Sequence, residues 1–293
     1  MIEFEHDIKT ALISAEEINR LKQENETIFI GSRFNFIKDH YGLRPGMRHL
    51  LIGCTGTGKS TLARSILCDS AKICKTLLYS SEESLEQTQY LLSLRDLDDD
   101  AKKNILILNE DTSIRRFAYN QESMLLWLSQ HLVHFQAKLL IFDNLTTSAY
   151  YDGREYEAQI YFFERLSAIA RSLQIPILLI CHTKSGIKDD QSSLIGPDDI
   201  RGPKLPVNKS EYVYIFQRFK VDHIMGEEIL SFIRVLKSRM HDNSSEIYRI
   251  YYKQTIKDYV EDLRIPFDNF LKAFRDRLRL TEGKGREKSE HRT

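Results

Sequence analysis

Short apolar runs recur along the chain, each bounded by charged or turn-forming residues. They are HLLIGC (49–54), TLLYSS (76–81), NILILN (104–109), KLLIFDN (138–144), IPILLICH (175–182), YVYIF (212–216), LSFIRVLK (230–237) and EIYRIYY (246–252). Runs this short and this continuously apolar predict strands buried on both faces, as in a parallel sheet covered by helices. Amphipathic segments separate them. Between Glu155 and Leu173, the residues Ile160, Phe163, Leu166, Ala170 and Leu173 fall at steps of three and four, which gives one apolar stripe and predicts a crossover helix. Only the short polar stretch SRMHDNSS (238–245) lies between the last two runs, so these predict an antiparallel hairpin at the C-terminal end of the sheet. The fold class expected is α/β: a mostly parallel, twisted sheet flanked by helices. There is no internal repeat.

Three segments fall outside this pattern. SAEEINRLKQE (14–24) opens with a Ser-x-x-Glu capping box and predicts a helix whose Ile18 and Leu21, with Ile13 before them, can pack on their own domain or on a neighbouring copy. PFDNFLKAFRDRLR (266–279) predicts a second amphipathic helix, and the polar TEGKGREKSEHRT (281–293) predicts disorder. The expected division is an N-terminal helical segment over 1–25, a core over 26–262, a C-terminal helix over 263–280 and a tail over 281–293.

Composition narrows the function without naming it. The chain has 293 residues, 42% hydrophobic and 29% charged, which suits one large domain with small appendages. Lysine plus arginine equals aspartate plus glutamate at 42 each, so no overall field draws nucleic acid or an anionic membrane, and any nucleic-acid site must be local. Cys54, Cys68, Cys74 and Cys181 lack metal-ligand or disulfide-framework spacing and read as reduced thiols. The start, MIEFEHDIKT, carries acids and no apolar leader core, and no run approaches the roughly 18 apolar residues of a membrane span. A cytoplasmic chain without membrane attachment is expected.

The strongest chemical signal lies where the first apolar run gives way to a helical pattern. GCTGTGKS, Gly53 to Ser60, fits G-x-x-x-x-G-K-[ST] between a strand and the helix-like STLARSIL. Glycines let successive backbone N–H groups turn toward phosphate oxygens, and the helix that follows adds its positive end. Gly53, Cys54, Thr55, Gly56, Thr57, Gly58, Lys59, Ser60 and Thr61 are therefore the expected nucleotide-binding residues. Lys59 would reach the outer phosphates of ATP, and the Ser60 hydroxyl would ligate Mg2+. Asp143 ends KLLIFDN, where a carboxylate can hold that magnesium through water; a strand-end turn aspartate is the alternative. Glu82 and Glu83 end the strand after the loop's helix, where a carboxylate can polarise an attacking water.

Taken in order, GCTGTGKS, YSSEES, LLIFDN, LLICHTKSG, DDIRGPKLPVNKSEYVYIF and IRVLKSR resemble the RecA-like motor domain of ring-shaped replicative helicases of the DnaB type. The resemblance is nearest to the branch of phage primase-helicases and the mitochondrial replicative helicase, and it covers roughly residues 30 to 255. It implies a RecA-like P-loop NTPase core, with Glu82 as catalytic carboxylate and Asp143 as magnesium organiser. His182 falls where that family senses the terminal phosphate. Lys237 and Arg239 fall where it places a basic pair that reaches a neighbour's nucleotide. The stretch from Lys184 to Pro206 takes the place of a channel loop that contacts single-stranded DNA. Its Lys184, Lys188, Arg201 and Lys204 are offset by Asp189, Asp190, Asp198 and Asp199, and PKLP stands where the family has a small-residue turn, so a plain solvated loop is the alternative. Arg154 and the nearby tyrosines could also meet DNA; core or surface tyrosines are the plainer reading.

The function so implied is an ATP-dependent, ring-forming helicase or translocase, a hexamer by the resemblance, that acts on single-stranded DNA in replication of a phage, plasmid or mobile element, with a primase or helicase loader as further partner. The alternative is a regulatory or recombination ATPase of the RadA or KaiC kind, which binds DNA or a protein without processive unwinding.

Overall fold

Each of the eight apolar runs is a strand in the computed structural model, which describes residues 32–184, 194–223, 226–239 and 246–266. The N-terminal segment expected to be helical, Lys188, the C-terminal helix beyond Pro266 and the tail lie outside the described residues. In chain order the elements are α1 (Asn35–Lys38), β1 (Arg48–Gly53), α2 (Lys59–Ala71), β2 (Thr76–Ser80), α3 (Leu85–Ser93), α4 (Asp99–Lys103), β3 (Ile105–Asn109), α5 (Glu110–Phe117) and α6 (Gln121–Phe135). Then follow β4 (Leu139–Asp143), α7 (Tyr156–Leu173), β5 (Ile177–His182), a 3-10 turn (Pro197–Asp199), α8 (Leu205–Lys209), β6 (Tyr212–His223), β7 (Gly226–Ser238), β8 (Glu246–Lys253) and β9 (Asp258–Pro266).

One nine-stranded sheet runs in the order β3-β2-β4-β5-β1-β6-β7-β8-β9. The pairs from β3 to β6 are parallel, and β1 lies between β5 and β6. After β1 the chain passes through α2 and crosses over β5 and β4 to reach β2, which opens a crevice beyond the carboxyl ends of β1, β4 and β5. Open α/β sheets bind ligands at such a place.

The unbroken apolar runs follow from this layering. Successive strand residues point to opposite faces, and here both faces are covered. Leu51, Leu78, Ile141 and Ile180 join Leu62, Ile66 and Leu67 of α2 in one core. Leu50, Ile52, Leu77, Tyr79, Leu140, Phe142 and Leu179 join Leu128 and Leu132 of α6 and Phe162, Phe163 and Leu166 of α7 in the other.

At the C-terminal end the expected hairpin of two strands is part of a larger antiparallel meander, β6 to β9. β9 carries no apolar run, because DYVEDLRIP mixes charged and apolar positions; in the sheet it pairs with β8. It extends to Pro266, past the boundary drawn at 262 from sequence.

A buried ion pair closes the other end of the sheet. Arg48 Nε donates to Glu211 Oε2 at 3.0 Å and Arg48 Nη2 to Oε1 at 2.5 Å, with only 9% and 6% of the two side chains exposed. Burial pushes the Glu211 carboxyl up, but its bonds to the Arg48 side chain and backbone outweigh this and hold it below the usual range. Glu211→Ala, which strands the Arg48 charge, should cost about 3–5 kcal/mol of stability, read as a lower urea midpoint at pH 7. A depressed carboxylate pKa contributes stability above the unfolded value and loses it as pH falls through the folded one. The gap between variant and parent should therefore narrow below about pH 4.5.

Candidate nucleotide site at the carboxyl ends of the central strands

β1 delivers the chain to the crevice at Gly53, and α2 carries it away from Lys59. Between them the backbone needs glycine. Gly56 and Gly58 have φ of 78° and 95°, a region that side chains disfavour. A Cβ on Gly53 would run into the Phe216 carbonyl, and one on Gly58 into the Tyr259 hydroxyl. Gly58 is the N-cap of α2 and offers no side-chain cap, so the first N–H groups of the helix are left for another acceptor.

Four ionisable groups from distant positions converge on this loop. Lys59 Nζ donates to the Cys54 carbonyl at 2.6 Å and lies 3.0 Å from His182 Nδ1. His182 Nε2 is 2.8 Å from Glu82 Oε1. With the Lys59 ammonium as donor, Nδ1 must accept, so Nε2 carries the hydrogen and donates to Glu82. Thr55 Oγ1 is 3.3 Å from the same Nδ1, and Thr57 Oγ1 donates to the Cys54 carbonyl. The Ser60 hydroxyl donates to Asp143 Oδ1 at 3.2 Å. The Thr146 hydroxyl accepts from the His182 N–H at 2.8 Å and fixes the end of β5.

The electrostatics are those of a site short of counter-charge. Burial lowers Lys59 to about 8 against the pull of Asp143 and Glu82, and burial raises Asp143 to about 7. The His182 hydrogen bond holds Glu82 below the usual carboxylate range. Glu83, its sequence neighbour, is turned away: Arg64 Nη1 donates to both its oxygens at 2.8 and 2.7 Å.

The residues present fit a magnesium nucleoside triphosphate. Unpaired helix N–H groups and a buried ammonium suit phosphate oxygens, and Ser60 with Asp143 gives a hydroxyl and a carboxylate to a hard cation. Among the described residues no group of three or more His, Cys, Asp or Glu is arranged for a metal. One carboxylate and one hydroxyl are enough for a cation that keeps waters and takes phosphate oxygens.

Lys237 and Arg239 are not part of this constellation. β7 runs antiparallel to β6, and Lys237 is level with Val213 and Leu50, so the pair emerges at the opposite end of the sheet. Arg239 lies roughly 15 Å from Gly53 measured along the strand at about 3.3 Å per residue. There Lys237 Nζ donates to the Asn208 carbonyl at 2.8 Å, and Arg239 Nη1 is 3.4 Å from Glu211.

The residues expected to meet DNA have partners within the chain. Arg201 donates to both oxygens of Asp152, Lys204 Nζ is 2.6 Å from Asp198, and Arg154 donates to the Ala149 and Tyr119 carbonyls. Lys184 is exposed. Tyr150 and Tyr151 are buried, which decides for core over surface at those positions.

Sequence reasoning missed several residues here. Arg218 Nη2 donates to the Gly56 carbonyl at 2.6 Å, and the Tyr259 hydroxyl to the Thr57 carbonyl at 3.3 Å. Buried Glu110 accepts from the Ala149 N–H at 2.9 Å and from the Tyr79 hydroxyl at 3.1 Å, anchoring the segment that follows Asp143. None sits at a spacing that a motif could flag; each is defined by a contact between segments distant in the chain.

No helix among the described residues is long and apolar enough to cross a membrane. No protein-family model matches the chain, and no curated protein matches it. Among solved structures it is similar to the crystal structure of a KaiC-like protein from the hyperthermophilic archaeon Pyrococcus horikoshii OT3. The TM-score is 0.60 at 16% sequence identity, over 79% of this chain and 96% of that one. The likeness is one of fold: a RecA-like α/β architecture with a mostly parallel sheet flanked by helices and antiparallel strands at its C-terminal end.

Proposed function

We propose that this protein is a magnesium-dependent ATPase whose hydrolytic sites are completed between copies of the chain. The observation that carries the reading is the convergence of Lys59, His182 and Glu82 in one hydrogen-bonded row beside the Ser60–Asp143 pair. In this reading the loop from Gly53 to Thr61 grips the phosphates, and Ser60 and Asp143 hold Mg2+. Bound magnesium supplies charge for the developing negative charge on the transferred phosphoryl group. Glu82 orients and polarises the attacking water. His182 touches both the loop lysine and the carboxylate, so any move of Lys59 toward a phosphate changes the partner of Nδ1 and is felt at Glu82.

The position of Lys237 and Arg239 supports action in trans, since no reach within one chain brings them to its own phosphate loop. Arg239→Ala should bind nucleotide yet hydrolyse it poorly. Mixing it with Lys59→Ala, which retains the basic pair, should restore some ATPase by forming composite sites. Subunits that exchange without restoring activity would remove the shared-site mechanism.

Two finer readings follow. The order of motifs favours a ring-shaped motor, of six copies by the resemblance, that translocates on single-stranded DNA through Lys184, Lys188, Arg201, Lys204 and Arg154. The internal pairing of Arg201, Lys204 and Arg154, together with zero net charge, favours a nucleotide-switched regulatory or recombination ATPase instead. A forked-duplex assay with the purified chain separates them. ATP-dependent strand release identifies the motor; ATP turnover that ignores single-stranded DNA and leaves the fork intact identifies the switch.

A further inference from the structure

The phosphate loop is held from behind by the antiparallel half of the sheet. β9 lies at the sheet's far edge in pairing order, yet its first residues return to α2. Asp258 is 6% exposed and is bonded by Ser65 of α2, Arg95 and Arg33. Its Oδ1 also accepts the N–H of Tyr259 at 2.7 Å, which fixes where the next side chain goes. That side chain is 4% exposed and packs edge-on against Phe216 at 5.6 Å between ring centroids. Its hydroxyl donates to the Thr57 carbonyl and fills the place where a Cβ on Gly58 would be. Burial pushes the phenol up to about 12, so it remains a donor at neutral pH.

A trans peptide is planar, with its C=O and N–H pointing in opposite directions. Holding the Thr57 carbonyl outward therefore turns the Gly58 N–H of the same peptide to the other side. Arg218 of β6 does the same to the preceding peptide through the Gly56 carbonyl. Two successive loop peptides are thus fixed by side chains from strands that belong to no part of the phosphate motif.

We propose that Tyr259 is a positioning residue for nucleotide binding: seated on the Asp258 anchor, it holds the Thr57–Gly58 peptide so that its N–H faces bound phosphate. This rests on the nucleotide reading above. The hydroxyl contributes by limiting the conformations the free loop can sample, so its loss weakens binding of nucleoside di- and triphosphate alike and leaves the chemical step unchanged.

The test uses the full chain and Tyr259→Phe, which keeps the ring and removes only the donor, beside Tyr259→Leu. ADP with Mg2+ is titrated calorimetrically, amide hydrogen exchange is followed without nucleotide, and ATPase is measured at saturation. Tyr259→Phe should raise the Kd for ADP about five-fold, the factor of one ordinary hydrogen bond. It should speed exchange in the segment from Gly56 to Ser60 while sparing α6, and hold kcat within about two-fold. Tyr259→Leu should weaken ADP more; if it does not fold, Tyr259→Phe still decides. A folded Tyr259→Phe with parental Kd and parental loop exchange overturns the proposal alone. A parent chain that binds no ADP overturns the nucleotide reading and this proposal with it.

Discussion

Lys59→Ala should abolish nucleotide turnover while the protein remains folded. The ammonium is 4% exposed and is held over the loop by the Cys54 carbonyl and His182. Its charge is opposed by burial, which lowers it to about 8, so removing it relieves a desolvation cost as well as losing two hydrogen bonds, and the net effect on stability is small. For catalysis the loss is one-sided. A charge-assisted donor in a dry site contributes most where negative charge develops, and loss of one such group lowers turnover by roughly 100- to 1,000-fold. Steady-state phosphate release, with a thermal melt for fold integrity, checks both halves. Near-parental ATPase would remove the basis of the functional reading.

Glu82→Gln should separate binding from chemistry. The amide keeps the size of the side chain and an acceptor for His182 Nε2, but it loses the charge that polarises water, so hydrolysis should fall by roughly 100-fold or more with the Kd for nucleotide little changed. Glu83→Gln should behave differently, for a reason visible in the fold. Both Glu83 oxygens accept from the Arg64 guanidinium, whose side chain is 7% exposed. Losing this carboxylate weakens the tie between β2's end and α2 by about 2 kcal/mol and leaves the chemical step intact. Single-turnover hydrolysis and urea midpoints of the two variants should move in opposite patterns. A large loss of turnover in Glu83→Gln, with Glu82→Gln active, would reassign the catalytic carboxylate.

The amino-acid sequence by itself determined the strands buried on both faces and the phosphate loop. In both cases the signal is local: a strand covered twice must be apolar along its middle, as Leu50–Ile52 of β1, Leu139–Phe142 of β4 and Ile177–Cys181 of β5 are, and a loop that wraps phosphate must carry glycine where φ is positive, as at Gly56 and Gly58. It also narrowed the carboxylates to Glu82 or Glu83 and marked Asp143 and His182 at strand ends. Whatever depended on two distant segments meeting was decided only by the tertiary structure. Glu82 and His182 are 100 residues apart in the chain and 2.8 Å apart in space, because β2 and β5 flank β4 in the sheet. Arg64, from α2, is what distinguishes the two glutamates. The placement of Lys237 and Arg239 at the far end of the sheet follows from the antiparallel pairing of β7 with β6, which no property of KSR reveals. β9 was invisible for the same reason: its polar-rich sequence acquires a role only when Asp258 finds Arg95, Arg33 and Ser65, and Tyr259 finds the back of a loop some 200 residues earlier, 202 by count to Thr57. Local backbone preference and burial pattern are written residue by residue, whereas such contacts are set by strand order and register, which the chain specifies only as a whole.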